Sequence, residues 1–213
     1  MVYSANMDRW NGGQVVPGLA RRSMLAAASL LLARPAGAEP HDAIFRVMRR
    51  GDQVGTHTLR IARQGREQIA TSELLIAPRV LGIVVYRYEH RYVEATVAGR
   101  FARVTSHLNR NGRIVEVRGE AVAGAVLLDG TEGPQRLPAD AAPLSWWERE
   151  RFGRMPIFGT TTGRLLALRW DLTRETSACR GEIEAVARYD AAGRWVGLDA
   201  RGEDGNDITY VPA

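Results

Sequence analysis

From Ile44 onward, short apolar and β-branched runs alternate with polar positions, and turns containing glycine separate them. Turn signals fall at Arg50-Gly51-Asp52, Gln64-Gly65-Arg66, Ala98-Gly99-Arg100, Asn109-Arg110-Asn111-Gly112, Asp129-Gly130, Ala191-Ala192-Gly193 and Asp204-Gly205-Asn206. The runs between them predict strands at 44–49, 53–63, 67–77, 83–97, 101–108, 113–121 and 125–128, then at 164–171, 181–189, 194–199 and 207–211. Links this short join antiparallel neighbours, so the fold class is mainly β: a single curved antiparallel meander, a half-barrel or open barrel. In the run 83–97 the even positions Tyr86, Tyr88, His90 and Tyr92 share one face, while Arg87, Glu89 and Arg91 share the other. That aromatic face is directed at a core or a pocket. Between 134 and 163 the alternation stops. Pro134, Pro138 and Pro143 mark a loop, and Ser145-Trp146-Trp147-Glu148 has the form of a capping box that opens a short helix over 146–152. This helix is expected to plug or cover the sheet. Of its two adjacent tryptophans only one can face the sheet squarely.

The first 38 residues follow a different pattern. Arg21-Arg22 precede an uncharged stretch from Met24 to Ala33, too short to span a bilayer, and Ala36-Gly37-Ala38 places small residues at the positions that a signal peptidase reads. Residues 1–38 thus read as a signal peptide cut after Ala38, leaving 39–213 as a single β domain in the periplasm, with no transmembrane anchor in the mature chain. The adjacent arginines followed by Ser23-Met24-Leu25 resemble a twin-arginine export signal, although Ala20 and Ala26 depart from it. No cysteine lies at the cut to carry a lipid.

Charge changes meaning once the leader is set aside. The full chain carries a formal charge of +5, and every basic residue is Arg, with no Lys at all. The leader holds four arginines and Asp8, so the remaining 175 residues carry 25 Arg against 23 acids, or +2. These charges alternate in sign, as in Glu148-Arg149-Glu150-Arg151, which marks solvated ion-paired faces and argues against nucleic acid as a partner. Without Lys, Schiff-base chemistry and a P-loop lysine are excluded. The lone Cys179 excludes an internal disulfide and reads as a small packing residue.

Candidate chemistry is sparse. Nucleophile-elbow, phosphate-loop and zinc-binding patterns are missing, and His41, His57, His90 and His107 form no pair at ligand spacing, so neither a metal nor a cofactor is expected. Glu89, Glu94 and Asp171 are isolated acids on strands. An enzyme would need His57 or His90 within reach of an acid, or of Ser145, inside a cleft.

Several segments carry a resemblance in their order along the chain: Phe45-Arg46-Val47 with Gly51, Val54-Gly55-Thr56-His57, Leu81 through His90, Asn111-Gly112, Ser145-Trp146-Trp147, Thr160-Thr161-Thr162-Gly163 and Tyr189 through Val196. This order resembles the uncharacterised exported bacterial family catalogued as domain-of-unknown-function family 6134, over essentially all of 44–211. The stretch between Gly163 and Gly181 reads as shorter than the family pattern, which implies a missing strand or hairpin. The resemblance brings no catalytic residue or cofactor. It implies a shape like the curved half-barrels of periplasmic lipoprotein carriers. On this reading the sheet holds an apolar ligand, a lipid or acyl chain, against Tyr86, Tyr88, His90, Tyr92, Trp146 and Trp147. An envelope protein-protein interaction module is the second reading, and a hydrolase-like enzyme the third.

Overall fold

The computed structural model describes residues 42–202 and 205–213; the expected signal segment, including Arg21, Arg22, Ala36 and Ala38, lies outside the described residues. The strands are β1 (Ala43–Arg49), β2 (Asp52–Gln64), β3 (Glu67–Ile76), β4 (Arg79–Val80), β5 (Ile83–Val84), β6 (Tyr88–Val97), β7 (Arg100–Arg110), β8 (Arg113–Val122), β9 (Ala125–Gly130) and β10 (Gly133–Leu137). They continue as β11 (Ala142–Pro143), β12 (Ile157–Phe158), β13 (Leu168–Leu172), β14 (Thr176–Gly181), β15 (Ala185–Tyr189), β16 (Trp195–Arg201) and β17 (Asp207–Pro212).

One open antiparallel sheet of thirteen strands takes the order β10-β9-β8-β7-β6-β3-β2-β1-β17-β16-β15-β14-β13. Most neighbours are hairpin partners. Two-residue links at Arg50-Gly51, Ala98-Gly99 and Asn111-Gly112 have positive φ at both central residues, the turn whose twist matches that of the flanking strands. Two joins are not hairpins: β3 pairs with β6 past the separate β4–β5 hairpin, and β1 pairs with β17 from Phe45↔Pro212 to Met48↔Thr209, fusing two meanders into one sheet. A sheet this wide must curl, and its inward face needs filling. Phe45, Val47, Leu59, Tyr189, Trp195, Leu198 and Tyr210 bury one half of that face, and Val104, Val117, Val126 and Leu128 the other.

The two edge strands, β10 and β13, are successive strands of the sheet, and residues 138–167 run between them. This segment is tied to both edges. Thr131 donates its backbone N–H to the Thr162 carbonyl and Gln135 its side-chain amide to Gly163 on one side. On the other, Ala167 donates to the Glu182 carboxylate, and Arg149 donates to the carbonyls of Thr173 and Arg174. A Cβ on Gly130 would lie 2.6 Å from the Thr162 oxygen, so glycine is what lets the segment approach β9 this closely. Trp147 packs against both halves of the core, so the segment fills the curled sheet from within.

Several expectations need correction. The run 83–97 is two elements: Leu81-Gly82 closes a separate β4–β5 hairpin, and β6 starts only at Tyr88 and pairs directly with β3. Tyr86 therefore lies outside the strand that carries Tyr88, His90 and Tyr92. Residues 133–137 form a strand despite Pro134, because β10 is an edge and a proline there breaks no ladder. The strand expected over 164–171 is β13, which runs from Leu168 to Leu172, and β14 (Thr176–Gly181) runs up to Gly181 where no strand was expected. Strand 181–189 is divided between β14 and β15 by a turn. The helix expected over 146–152 is a single 3-10 turn at Arg149–Arg151, and no side chain caps it. Ser145 and Glu148 bond to residues distant in sequence instead.

Candidate functional site

The register sorts the inward face of the first meander into rows. Phe45, His57, Leu74, His90 and Leu108 face one another across β1, β2, β3, β6 and β7. Leu59, Ser72, Tyr92 and Ser106 form the next row, and Ala70, Glu94, Val104 and Gly119 the third. Polar side chains thus sit in a core position on every row, and each needs a partner.

The partners form one track. His57 Nε2 lies 2.7 Å from Ser72 Oγ, Ser72 sits across from Tyr92 in the register, and Ser145 Oγ donates to Glu94. Glu94 Oε1 in turn meets Arg151 Nη1 at 2.6 Å, with both side chains at most 4% exposed. Arg151 also faces Glu148, whose carboxylate accepts from Gln68 at 3.0 Å. A carboxylate only accepts, so Ser145 gives its proton to Glu94. His57 Nδ1 is the ring atom that has no partner. A second pair repeats the motif one strand over, with His90 Nε2 2.9 Å from Ser106 Oγ.

Burial sets the protonation of this track. It lowers the pKa of His57 to about 3, helped by the nearby His90, and that of His90 to about 4, so both rings are neutral. Tyr92 is pushed far up by burial and by the Glu94 charge, and keeps its proton. Burial also raises Glu148, with Arg151 opposing. For Arg151 burial works against the charge, but Glu94 and Glu148 outweigh it. Cys179, raised by burial to about 11, is a thiol at neutral pH and a poor nucleophile.

The six residues expected to line a ligand site separate into groups. Tyr88, His90, Tyr92 and Trp147 form a column, with His90 and Tyr92 stacked at 5.2 Å and Tyr92 and Trp147 at 5.5 Å. Trp146 points to the other half, against Phe152 and Trp170, and its carbonyl accepts from the Tyr189 hydroxyl. Both tryptophans are half-buried, and Tyr86 joins neither group. His90, Tyr92 and Trp147 thus stack on one another, and Tyr88 meets His90 edge-on. The two best-formed depressions of the described residues lie elsewhere, one of about 330 Å³ beside Met155 and Trp170 and one of about 360 Å³ beside Arg180 and Glu184.

His57 and His90 reach Ser72 and Ser106 rather than an acid or Ser145, and all four side chains are buried. Ser72, Ser106, Gln68 and Arg151 were not legible as site residues. Glu94 gave one usable signal: it has the same parity as Tyr88, His90 and Tyr92, so an acid was due on the inward face and with it a buried cation. Among the described residues no group of three or more His, Cys, Asp or Glu converges as a metal site.

The chain matches, over residues 45–213, the model of a family described as a domain of unknown function, DUF6134. Among solved structures it is similar to a β-barrel-like protein of domain of unknown function DUF1849 from Brucella abortus. The TM-score is 0.58 at 9% identity, over 82% of this chain and 95% of that one, a likeness of fold alone. No curated protein matches it.

Two outcomes follow from the track. Glu94→Leu or Arg151→Met alone leaves a buried charge unpaired and should cost about 3–5 kcal/mol in urea denaturation, whereas the double variant should cost less than either. Unfolded histidine takes up a proton near pH 6.5, while the folded rings resist to about 4 and about 3. Below 6.5 the unfolded state binds more protons, so stability should fall with pH from 6.5 to about 4 and show no histidine slope above 6.5. Melting temperatures across that range should flatten in a His57→Gln, His90→Gln variant.

Proposed function

We propose that this chain, which belongs to the DUF6134 family, is an exported envelope protein that acts through its outer surface, as a rigid interaction module. The observation that carries this reading is the filled interior. Residues 138–167 occupy the inward face with Trp146, Trp147, Phe152 and Phe158, and the ion pair of Glu94 with Arg151 fastens them there. A carrier of acyl chains needs that volume empty. The buried Ser–His pairs likewise have no path to a substrate. Meanwhile the most exposed large apolar side chains of the described residues, Leu81 and Ile83, stand on the outside, on the β4–β5 hairpin. Export rests on the leader pattern at Arg21-Arg22 and Ala36-Gly37-Ala38, and implies a mature chain that begins at Glu39.

Native mass spectrometry of the protein isolated from the envelope fraction, washed with salt and detergent, tests both parts. The expected species is a bare chain beginning at Glu39. A stoichiometric lipid that survives the wash would overturn the surface reading in favour of an interior carrier. An unprocessed chain confined to the cytoplasm would overturn export.

A further inference from the structure

The edge strand β13 turns half of its backbone groups away from the sheet. Thr173 donates to the Thr176 carbonyl and Glu182 to the Ala167 carbonyl, just beyond the two ends of the β13–β14 register. Bonded and unbonded pairs alternate along an antiparallel ladder, so Ala167, Arg169, Asp171 and Thr173 direct their N–H and C=O groups to β14. Leu168, Trp170 and Leu172 direct theirs to the open side, where no strand of the described residues pairs with them. The other edge, β10, carries Pro134, and a proline removes a donor and so closes an edge to pairing. Nothing of the kind interrupts β13, which reads Leu-Arg-Trp-Asp-Leu.

That sequence is complementary to itself. When two copies of β13 run antiparallel about Trp170, position 169 faces 171 and position 168 faces 172. Each Arg169 then meets Asp171 of the second copy, each Leu168 meets Leu172, and every open N–H meets a carbonyl, because the residues that face one another across the bonds are the three that point outward. The neighbouring registers that bond equally well set Arg169 against Arg169 or Asp171 against Asp171, so charge selects one register. Within the single chain these charges gain nothing. Arg169 stands directly opposite Arg180 across β13–β14, a like-charge pair, and among the described residues neither Arg169 nor Asp171, both exposed, joins an ion pair. Leu172 is 45% exposed. The depression of about 330 Å³ between β13 and residues 153–157 lies against Leu168, on the face where Leu172 of the second copy arrives.

We propose that β13 is a self-association edge, at which two copies of this chain pair antiparallel about Trp170 and continue one sheet into the other. The pairing goes beyond the surface reading and does not depend on export. One pair of five-residue strands is a small contact beside those of permanent dimers, so monomer and dimer should exchange with concentration. Sedimentation velocity of the isolated protein, from micromolar to millimolar concentration, tests it. The dimer fraction is expected to rise with concentration and to fall with salt. Arg169→Asp and Asp171→Arg should each weaken self-association by about tenfold, with an unchanged circular dichroism spectrum because both sites are exposed. Mixed in equal amounts, the two single variants should associate with each other, and a variant carrying both exchanges should dimerise as the parent does. Amide exchange at Leu168, Trp170 and Leu172 should slow as the dimer forms, while Arg169 and Asp171, already bonded to β14, should not change.

A monomer at every concentration, a dimer that neither single exchange weakens, or single variants that do not associate when mixed would overturn the proposal. So would growth into long polymers in place of a dimer, which would pair β13 with β10 head to tail. None of these results bears on lipid content or export, by which the surface-acting reading stands or falls.

Discussion

The ion pair between Glu94 and Arg151 joins the two parts of this fold that have no hairpin to join them. Glu94 sits on the inward face of β6, where a carboxylate is stable only if a cation comes to it. Arg151 comes from the segment between the two sheet edges, and it brings the rest of that segment along. Once it is seated, Ser145 reaches the second oxygen of Glu94, Trp147 lies on Tyr92, and Trp146 turns to Phe152 and Trp170. A thirteen-strand open sheet cannot bury its inward face by itself. The segment supplies the missing layer.

That arrangement decides where function can lie. Inside, His57 meets Ser72, Ser145 and Arg151 meet Glu94, and Gln68 meets Glu148. The neutral histidines follow from burial. Such a track gives the core one arrangement rather than many. The most exposed large apolar side chains of the described residues lie outside, on the β4–β5 hairpin.

Local signals were legible and long-range ones were not. Alternation and the X–Gly turns placed most of the large sheet's strands, because side-chain parity and left-handed turn residues act over a few positions. Proline at 134 hid β10, since only the topology reveals that it is an edge. Period two ran through Tyr86 into β6, and nothing in that run marks the point where the β4–β5 hairpin turns back on itself. The Ser145–Glu148 spacing indicated a helix cap, but Glu94 and Gln68 compete for those side chains from far along the chain, and a buried carboxylate outbids a backbone N–H. Pairing of β1 with β17, and of β3 with β6, depends on contacts that no window of sequence contains. Ser72 and Ser106 carry no signal at all until the register places them diagonally from His57 and His90.

The central claim is that the charge pair holds residues 138–167 inside the sheet, and amide hydrogen exchange followed by mass spectrometry tests it most directly. In a Glu94→Gln variant, peptides from 138–167 should lose protection while those from β7, β15 and β16 keep theirs. Protection of that segment unchanged from the parent protein, or lost equally throughout the sheet, would contradict the account.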